Sequence, residues 1–330
     1  MNGELREAFR RIRLGFPVFA ALSLTCSFWP GSAAPAFNPE KAGFWVKFKE
    51  ENSSYRVMGI YLLPGEKLTL EAGGSENGGP YLLEATTGNF SQIKKGTWQW
   101  QAPQQPGLYP LKLIDSSSAD SMILNLFVMV PASEVIGEYL RGYRIGKYPS
   151  IPYKQLPLYK RPKGFVEVSE ENAETLLSPH FKLKQFVCKQ EGGYPKYVVL
   201  RERLLLKLEL ILENTNQRGY RCETFEILSG YRTPYYNKTI GNVKYSRHVY
   251  GDAADIFIDE DPVDGMMDDL NRDGKMDYKD AGVIYDIIDE MYGRPWYERF
   301  LGGLGRYKKT SNHGPFVHVD ARGFRARWGD

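Results

Sequence analysis

Cysteine is scarce in this chain. There are three in 330 residues, and Cys26 lies in the N-terminal segment, so Cys188 and Cys222 are the only thiols after it. A disulfide framework of the kind that holds small secreted domains together is therefore excluded. Spacing alone leaves open whether these two pair or stay as buried thiols. Histidine is almost as rare: the four present all fall from His180 onward, so imidazole chemistry belongs to the second half. A strong charge imbalance is also missing, with 43 Lys and Arg against 40 Asp and Glu. Four of the cations, Arg6, Arg10, Arg11 and Arg13, sit at the extreme N-terminus, which leaves the remainder close to neutral and argues against a general nucleic-acid binder. Nor is there a long apolar run. Leu14 to Thr25 is interrupted by Pro17 and falls short of the roughly 20 residues a membrane span needs.

What that N-terminal segment does contain is a secretory pattern: arginines, an apolar stretch, then Ala34-Pro35-Ala36 as a small-x-small cleavage site before Phe37. Residues 1–36 thus read as a signal peptide, and the mature chain as periplasmic or secreted without a stable membrane span; whether the segment is cleaved or kept as an anchor is left open. Cys26, preceded by Leu24 and Thr25, fits a lipobox poorly. Residues 37–135 change to short apolar runs (F-W-V-K-F, Y-R-V-M-G-I-Y-L-L, K-L-T-L, T-W-Q-W, Y-P-L-K-L, M-I-L-N-L-F-V-M-V) between Gly, Pro, Asn and Ser clusters. Six or seven strands in about 100 residues predict an all-β, immunoglobulin-like sandwich. W-Q-A-P-Q-Q-P-G-L-Y is similar to a strand-turn-strand passage of bacterial domains of that type. Residues 136–165 follow as a basic Tyr/Pro-rich linker: between 139 and 163 there are seven Lys and Arg, five Tyr and four Pro, and no acid.

The second half carries the chemistry. S-R-H-V-Y-G-D-A-A-D runs from Ser246, and 63 residues after its last Asp comes F-V-H-V-D, so His248, Asp255 and His318 form a candidate metal triad. Two imidazoles and one carboxylate suit Zn²⁺, and three protein ligands leave a fourth position for water, the arrangement of a hydrolytic centre. Small residues between the first two ligands, Gly251, Ala253 and Ala254, allow backbone to pass close by. Upstream, F-E-I-L-S-G-Y-R-T-P-Y-Y-N reads as a strand entering a loop that brings Arg232 and Asn237 to the same region. A helix is predicted over 197–214, with Leu200, Leu204, Leu208, Ile211 and Leu212 in one stripe. A second is predicted over 281–292, with Ile284, Ile287, Ile288 and Met291 on one face.

Together, S-G-Y-R-T-P-Y-Y-N, S-R-H-V-Y-G-D-A-A-D-I and G-R-Y...F-V-H-V-D-A-R-G-F-R-A-R-W resemble the M15 zinc peptidases. These are D-alanyl-D-alanine carboxypeptidases and murein endopeptidases that share a metal-site fold with hedgehog domains. The resemblance covers about 166–330 and implies an α+β zinc peptidase domain. It makes His248, Asp255 and His318 the zinc ligands, gives Arg232 the task of polarising the scissile carbonyl, places Asn237 and Ser246 at the substrate, and names peptidoglycan as partner. Many members carry an acid three residues before the last ligand as general base; here that position is Pro315. His313 and Asp320 are the nearest titratable candidates, each with the alternative of a loop residue or of a carboxylate that orients a ligand. A catalytically silent, zinc-containing wall binder is the rival reading. In this setting the β unit is a structural or wall-targeting module, and the basic stretch a linker before it is a contact for anionic wall polymer.

Between the ligands lies D-L-N-R-D-G-K-M-D-Y-K-D. It puts Asp269, Asn271, Asp273, Asp277 and Asp280 at positions 1, 3, 5, 9 and 12 of an EF-hand-like calcium loop, with Gly274 at 6 and Lys275 offering its carbonyl. Ca²⁺ is accordingly expected in this insertion as a structural ion.

Overall fold

Alternation of inward apolar and outward polar residues drives the first half into sheet. In β1 (Lys41–Phe48) the side chains of Ala42, Phe44, Val46 and Phe48 are buried while their neighbours face out. The computed structural model describes residues 36–75 and 79–329, so the signal peptide read from the sequence lies outside the described residues except for Ala36. After β1 come β2 (Glu51–Tyr55), β3 (Val57–Leu62), β4 (Lys67–Gly73), β5 (Tyr81–Ala85), β6 (Asn89–Lys94), β7 (Thr97–Gln101), β8 (Gly107–Asp115) and β9 (Asp120–Val128). They make two sheets, ordered β2-β1-β4-β7-β6 and β3-β9-β8-β5, with β3 and β9 parallel. Phe44 of one sheet meets Tyr81 of the other, ring centroids 5.5 Å apart.

The nine strands of these two sheets exceed the six or seven read from apolar runs, for identifiable reasons. Y-R-V-M-G-I-Y-L-L is not one strand: Tyr55 ends β2 in the first sheet, and the chain switches at Arg56 into β3 of the second. The polar β2 and the wholly exposed β6 carry little apolar signal.

Helix α1 (Glu202–Gln217) buries Leu204, Leu208, Ile211 and Leu212 as expected, but also Lys207, Glu209 and Glu213. A helix covered on all sides must satisfy its polar groups. Glu213 accepts from Lys41 Nζ (2.7 Å) and from Tyr55 on the β unit. Glu209 accepts from the backbone N–H of His180 (2.9 Å). Lys207 Nζ donates to the Asp320 carbonyl (2.7 Å). The predicted helix start at 197 is displaced to 202 because Lys196–Val198 forms a strand against Gly164–Val168, as Tyr197, Val198 and Val199 favour.

Behind α1 stands a five-stranded sheet in the order Glu226–Ser229, Ala253–Phe257, Phe316–Asp320, Gly303–Tyr307, Ala326–Trp328, antiparallel except for the last pair. The short helix α2 (Pro234–Thr239) follows its first strand, and α3 (Tyr278–Glu290) buries Ile284, Ile287 and Ile288. Within the Tyr/Pro-rich stretch Leu140, Tyr143, Ile145 and Tyr159 are buried, and Tyr139–Leu140 pairs with Tyr143–Arg144. The described residues from Phe37 onward form one compact unit with one large core and a small separate cluster of Tyr159, Val249 and Tyr250. Cys188 and Cys222 are both free and buried. No helix among the described residues is long and apolar enough to cross a membrane.

Candidate metal centre

Antiparallel pairing puts Asp255 directly opposite His318 on adjacent strands, so both side chains leave the sheet on the same face. His248 arrives from a 3-10 turn, Arg247–Tyr250, which ends at Gly251 with φ +74°. A Cβ at Gly251 would lie 2.3 Å from the Val199 carbonyl oxygen, so only glycine lets this turn sit against the core. His248 Nε2, Asp255 Oδ1 and His318 Nδ1 then converge. Nε2 to Oδ1 is 3.1 Å, Nε2 to Nδ1 is 3.1 Å and Nδ1 to Oδ1 is 2.8 Å. Ligands about 2.0–2.1 Å from a tetrahedral zinc stand about 3.3 Å apart, so the spacing fits.

The outer contacts decide which atoms carry lone pairs. His248 Nδ1 donates to the Gly230 carbonyl (2.7 Å) and His318 Nε2 to Asp320 Oδ2 (3.2 Å). Both imidazoles therefore turn an unprotonated nitrogen towards a carboxylate oxygen. Three acceptors with no hydrogen between them repel unless a cation holds them, and all three residues are buried. Burial pulls the His248 imidazole down, towards the neutral form that ligates. Among the described residues this is the one His/Cys/Asp/Glu group gathered closely enough to hold a metal.

Arg232 is 9 % exposed and donates Nε to Ser229 Oγ (2.7 Å) and Nη2 to the second Asp255 oxygen, Oδ2 (2.6 Å). Its Nη1 makes no hydrogen bond with the described residues and remains for a ligand in the cleft. That cleft, of about 590 Å³, is lined by Arg232, His248, Asp255 and His318 together with Ser246, Lys244, Tyr159, Tyr307, Arg322 and Trp328. Asp255 is its single carboxylate. Tyr307 accepts Trp328 Nε1–H (2.7 Å), which leaves its own proton free to be donated. Arg322 is held by Asp320 (2.5 Å) and lies 5.2 Å over the Trp328 ring. Tyr159, Tyr307 and Trp328 were not singled out from the sequence, although Tyr307 and Trp328 belong to the G-R-Y and R-A-R-W passages quoted above.

The other candidates are dispersed. Asp320 is fully buried beneath His318, between His318, Arg322 and the Gly303 N–H (2.8 Å), and does not line the cleft. Burial would raise its carboxyl, but His318 and Arg322 keep it far below the ordinary range, and its contact with His318 Nε2 places it to orient that ring. His313 sits in the loop before the His318 strand, its Nδ1 2.7 Å from the Gly314 carbonyl, and also lies outside the cleft. Asn237, on α2, donates to the Val243 carbonyl (2.9 Å) and lines an adjoining groove instead of the metal cleft.

The 269–280 loop does not gather its carboxylates on one point. Asp269 accepts from the Asp273 and Gly274 N–H groups, Asp273 pairs with Lys279 Nζ (2.8 Å), and Asp277 with Asp280 forms the capping box of α3. Asn271 accepts from the Asp273 N–H (2.9 Å).

A family model described as Peptidase M15 matches residues 179–278. The matched stretch contains Arg232, His248 and Asp255, and His318 lies beyond it. No curated protein matches the chain. The convergence of His248, Asp255 and His318 and the match to the segment bearing two of them lead to one statement: the C-terminal half of this chain carries a Peptidase M15 domain.

Proposed function

We propose that the protein is an exported zinc metallopeptidase that hydrolyses peptidoglycan stem peptides or cross-links. The observation that carries this is the set of three mutually facing acceptors, His248 Nε2, Asp255 Oδ1 and His318 Nδ1, in a cleft open to solvent. A zinc bound there supplies an acidified water and a Lewis acid. The chain's own groups do the rest. Arg232 Nη1 and the Tyr307 hydroxyl donate to the carbonyl oxygen as it gains charge, Asp320 fixes the His318 ring, and Tyr159 and Trp328 shape the walls. In this reading 37–135 is an immunoglobulin-like module that holds or targets the enzyme at the wall, and the 269–280 loop takes calcium once Lys279 releases Asp273.

Because Asp255 is the cleft's single carboxylate, a second reading is a zinc-loaded wall binder without turnover. Incubating the zinc-loaded mature chain with isolated sacculi and resolving the products separates the two. Released muropeptides, lost in His248→Ala together with the metal, support the peptidase. Retained zinc in that variant sinks the ligand assignment, and sacculus binding by wild type without release favours the binder.

A further inference from the structure

The metal cleft continues into a groove of about 670 Å³, and Asn242 and Lys244 line both. One wall of the groove comes from the Tyr/Pro-rich stretch, through Glu138, Arg144, Lys147 and Pro149. The other comes from α2 and the loop after it, through Pro234, Tyr235, Asn237 and Lys238. Four cationic side chains, Arg144, Lys147, Lys238 and Lys244, thus face one acid, Glu138. Glu138 is already engaged, by Arg144 at 2.8 Å and more distantly by Lys147 at 4.0 Å. Arg144 is further braced 4.1 Å over the Tyr235 ring. The three lysines are exposed. On the floor, Asn237 is 3 % exposed, and its Oδ1 has no hydrogen-bond partner although its Nδ2 is satisfied.

The arginines of the cleft are already paired. Arg232 pairs with Asp255, Arg247 with Asp252 and Arg322 with Asp320. The groove adds a charge preference of its own, because exposed lysines surround a concave surface and focus a positive potential. Tyr235, Pro149 and Pro234 add apolar walls for the aliphatic part of a chain. We propose that this groove is a subsite for an acidic peptide, holding carboxylate side chains on the stretch of substrate that runs on past the metal; the proposal rests on the peptidase reading above. Lys244 stands at the junction, and Lys147 and Lys238 flank the distal end.

The test compares fluorescently labelled tetra-L-glutamate and tetra-L-glutamine binding to the zinc-loaded mature chain, wild type and Lys147→Glu/Lys238→Glu. Matched melting temperatures first establish that the variant is folded. Wild type should bind the glutamate peptide about tenfold or more tightly than the glutamine peptide at low salt, with the preference shrinking as salt rises, and the variant should lose it. On sacculi the variant should raise KM while kcat stays within about twofold. Equal binding of the two peptides by wild type overturns the proposal, as does a glutamate preference that survives in the variant. An oligothymidylate of equal charge that binds as tightly overturns it too, because attraction is then unspecific. A wild type that releases no muropeptides yet shows the charge preference removes the peptidase reading and leaves the groove standing. Release with an unchanged variant KM removes the groove alone.

Discussion

Asp320 touches no solvent and serves His318 from behind, so its replacement separates orientation from proton transfer. Asp320→Asn should weaken zinc affinity by about tenfold or more, the scale for losing an outer partner of a ligand. A competition titration with a chelator reads this, and unchanged affinity would mean that the His318 ring is held by packing alone. Beneath the same strand, burial lowers the Lys207 ammonium to about 7. In the unfolded chain it returns to about 10.4. Between these values the unfolded state binds a proton that the folded state does not, so stability rises with pH across roughly 7 to 10, and the cost is fully present below 7. The melting temperature of wild type should climb over that window, and the climb should be missing in Lys207→Met; parallel profiles would show that Lys207 is not the group responsible. The candidate triad was legible because ligation demands particular residue types in a fixed order, and the structure brings those three residues together. Asp320 was ambiguous because a base and an orienting carboxylate are the same side chain, and only the contact with His318 Nε2 separates them.

Arg247 ties two segments together. Its guanidinium pairs with Asp252, lies 4.5 Å from the Tyr159 ring centroid and 5.1 Å from that of Tyr250, and donates to the Leu158 carbonyl (3.0 Å). The Tyr/Pro-rich stretch is thereby fixed to the turn that carries His248. Arg247→Met would leave Asp252 buried without a counter-charge and should cost about 3–5 kcal/mol in denaturant unfolding. A loss under 1 kcal/mol would mean that water reaches Asp252. For the 269–280 loop the expectation is that millimolar calcium raises the melting temperature of the zinc-loaded protein, by the equivalent of about 2.7 kcal/mol at a hundredfold excess over Kd, and that Asp273→Ala abolishes the rise. Equal curves with and without calcium would reduce the loop to a helix cap and an acidic turn. The helices α1 and α3 were readable from their apolar stripes to within a few residues, because periodicity is a local property. The break at Arg56 and the polar β2 and β6 were not, since pairing across a sheet leaves no mark on a strand that buries little.

Glu51 of β2 binds Arg203 of α1 (2.8 Å) and also Arg299, joining the β unit to the C-terminal half with a carboxylate only 7 % exposed. With Glu213 bridging Lys41 and Tyr55, α1 belongs as much to the first half as to the second. Calorimetry of the protein should therefore give one cooperative transition, and Glu51→Gln should shift it down as a whole; two separable transitions would show that the halves fold independently. Strand pairing has its own effect across the molecule. His318 faces Asp255 only in the observed register, and a slip of one residue between those strands turns the imidazole to the opposite side of the sheet. A metal held there would proofread the zipper: a mispaired copy has no ligand set to offer, and zinc content per molecule after gel filtration would separate correctly assembled preparations from misregistered ones before any activity is measured.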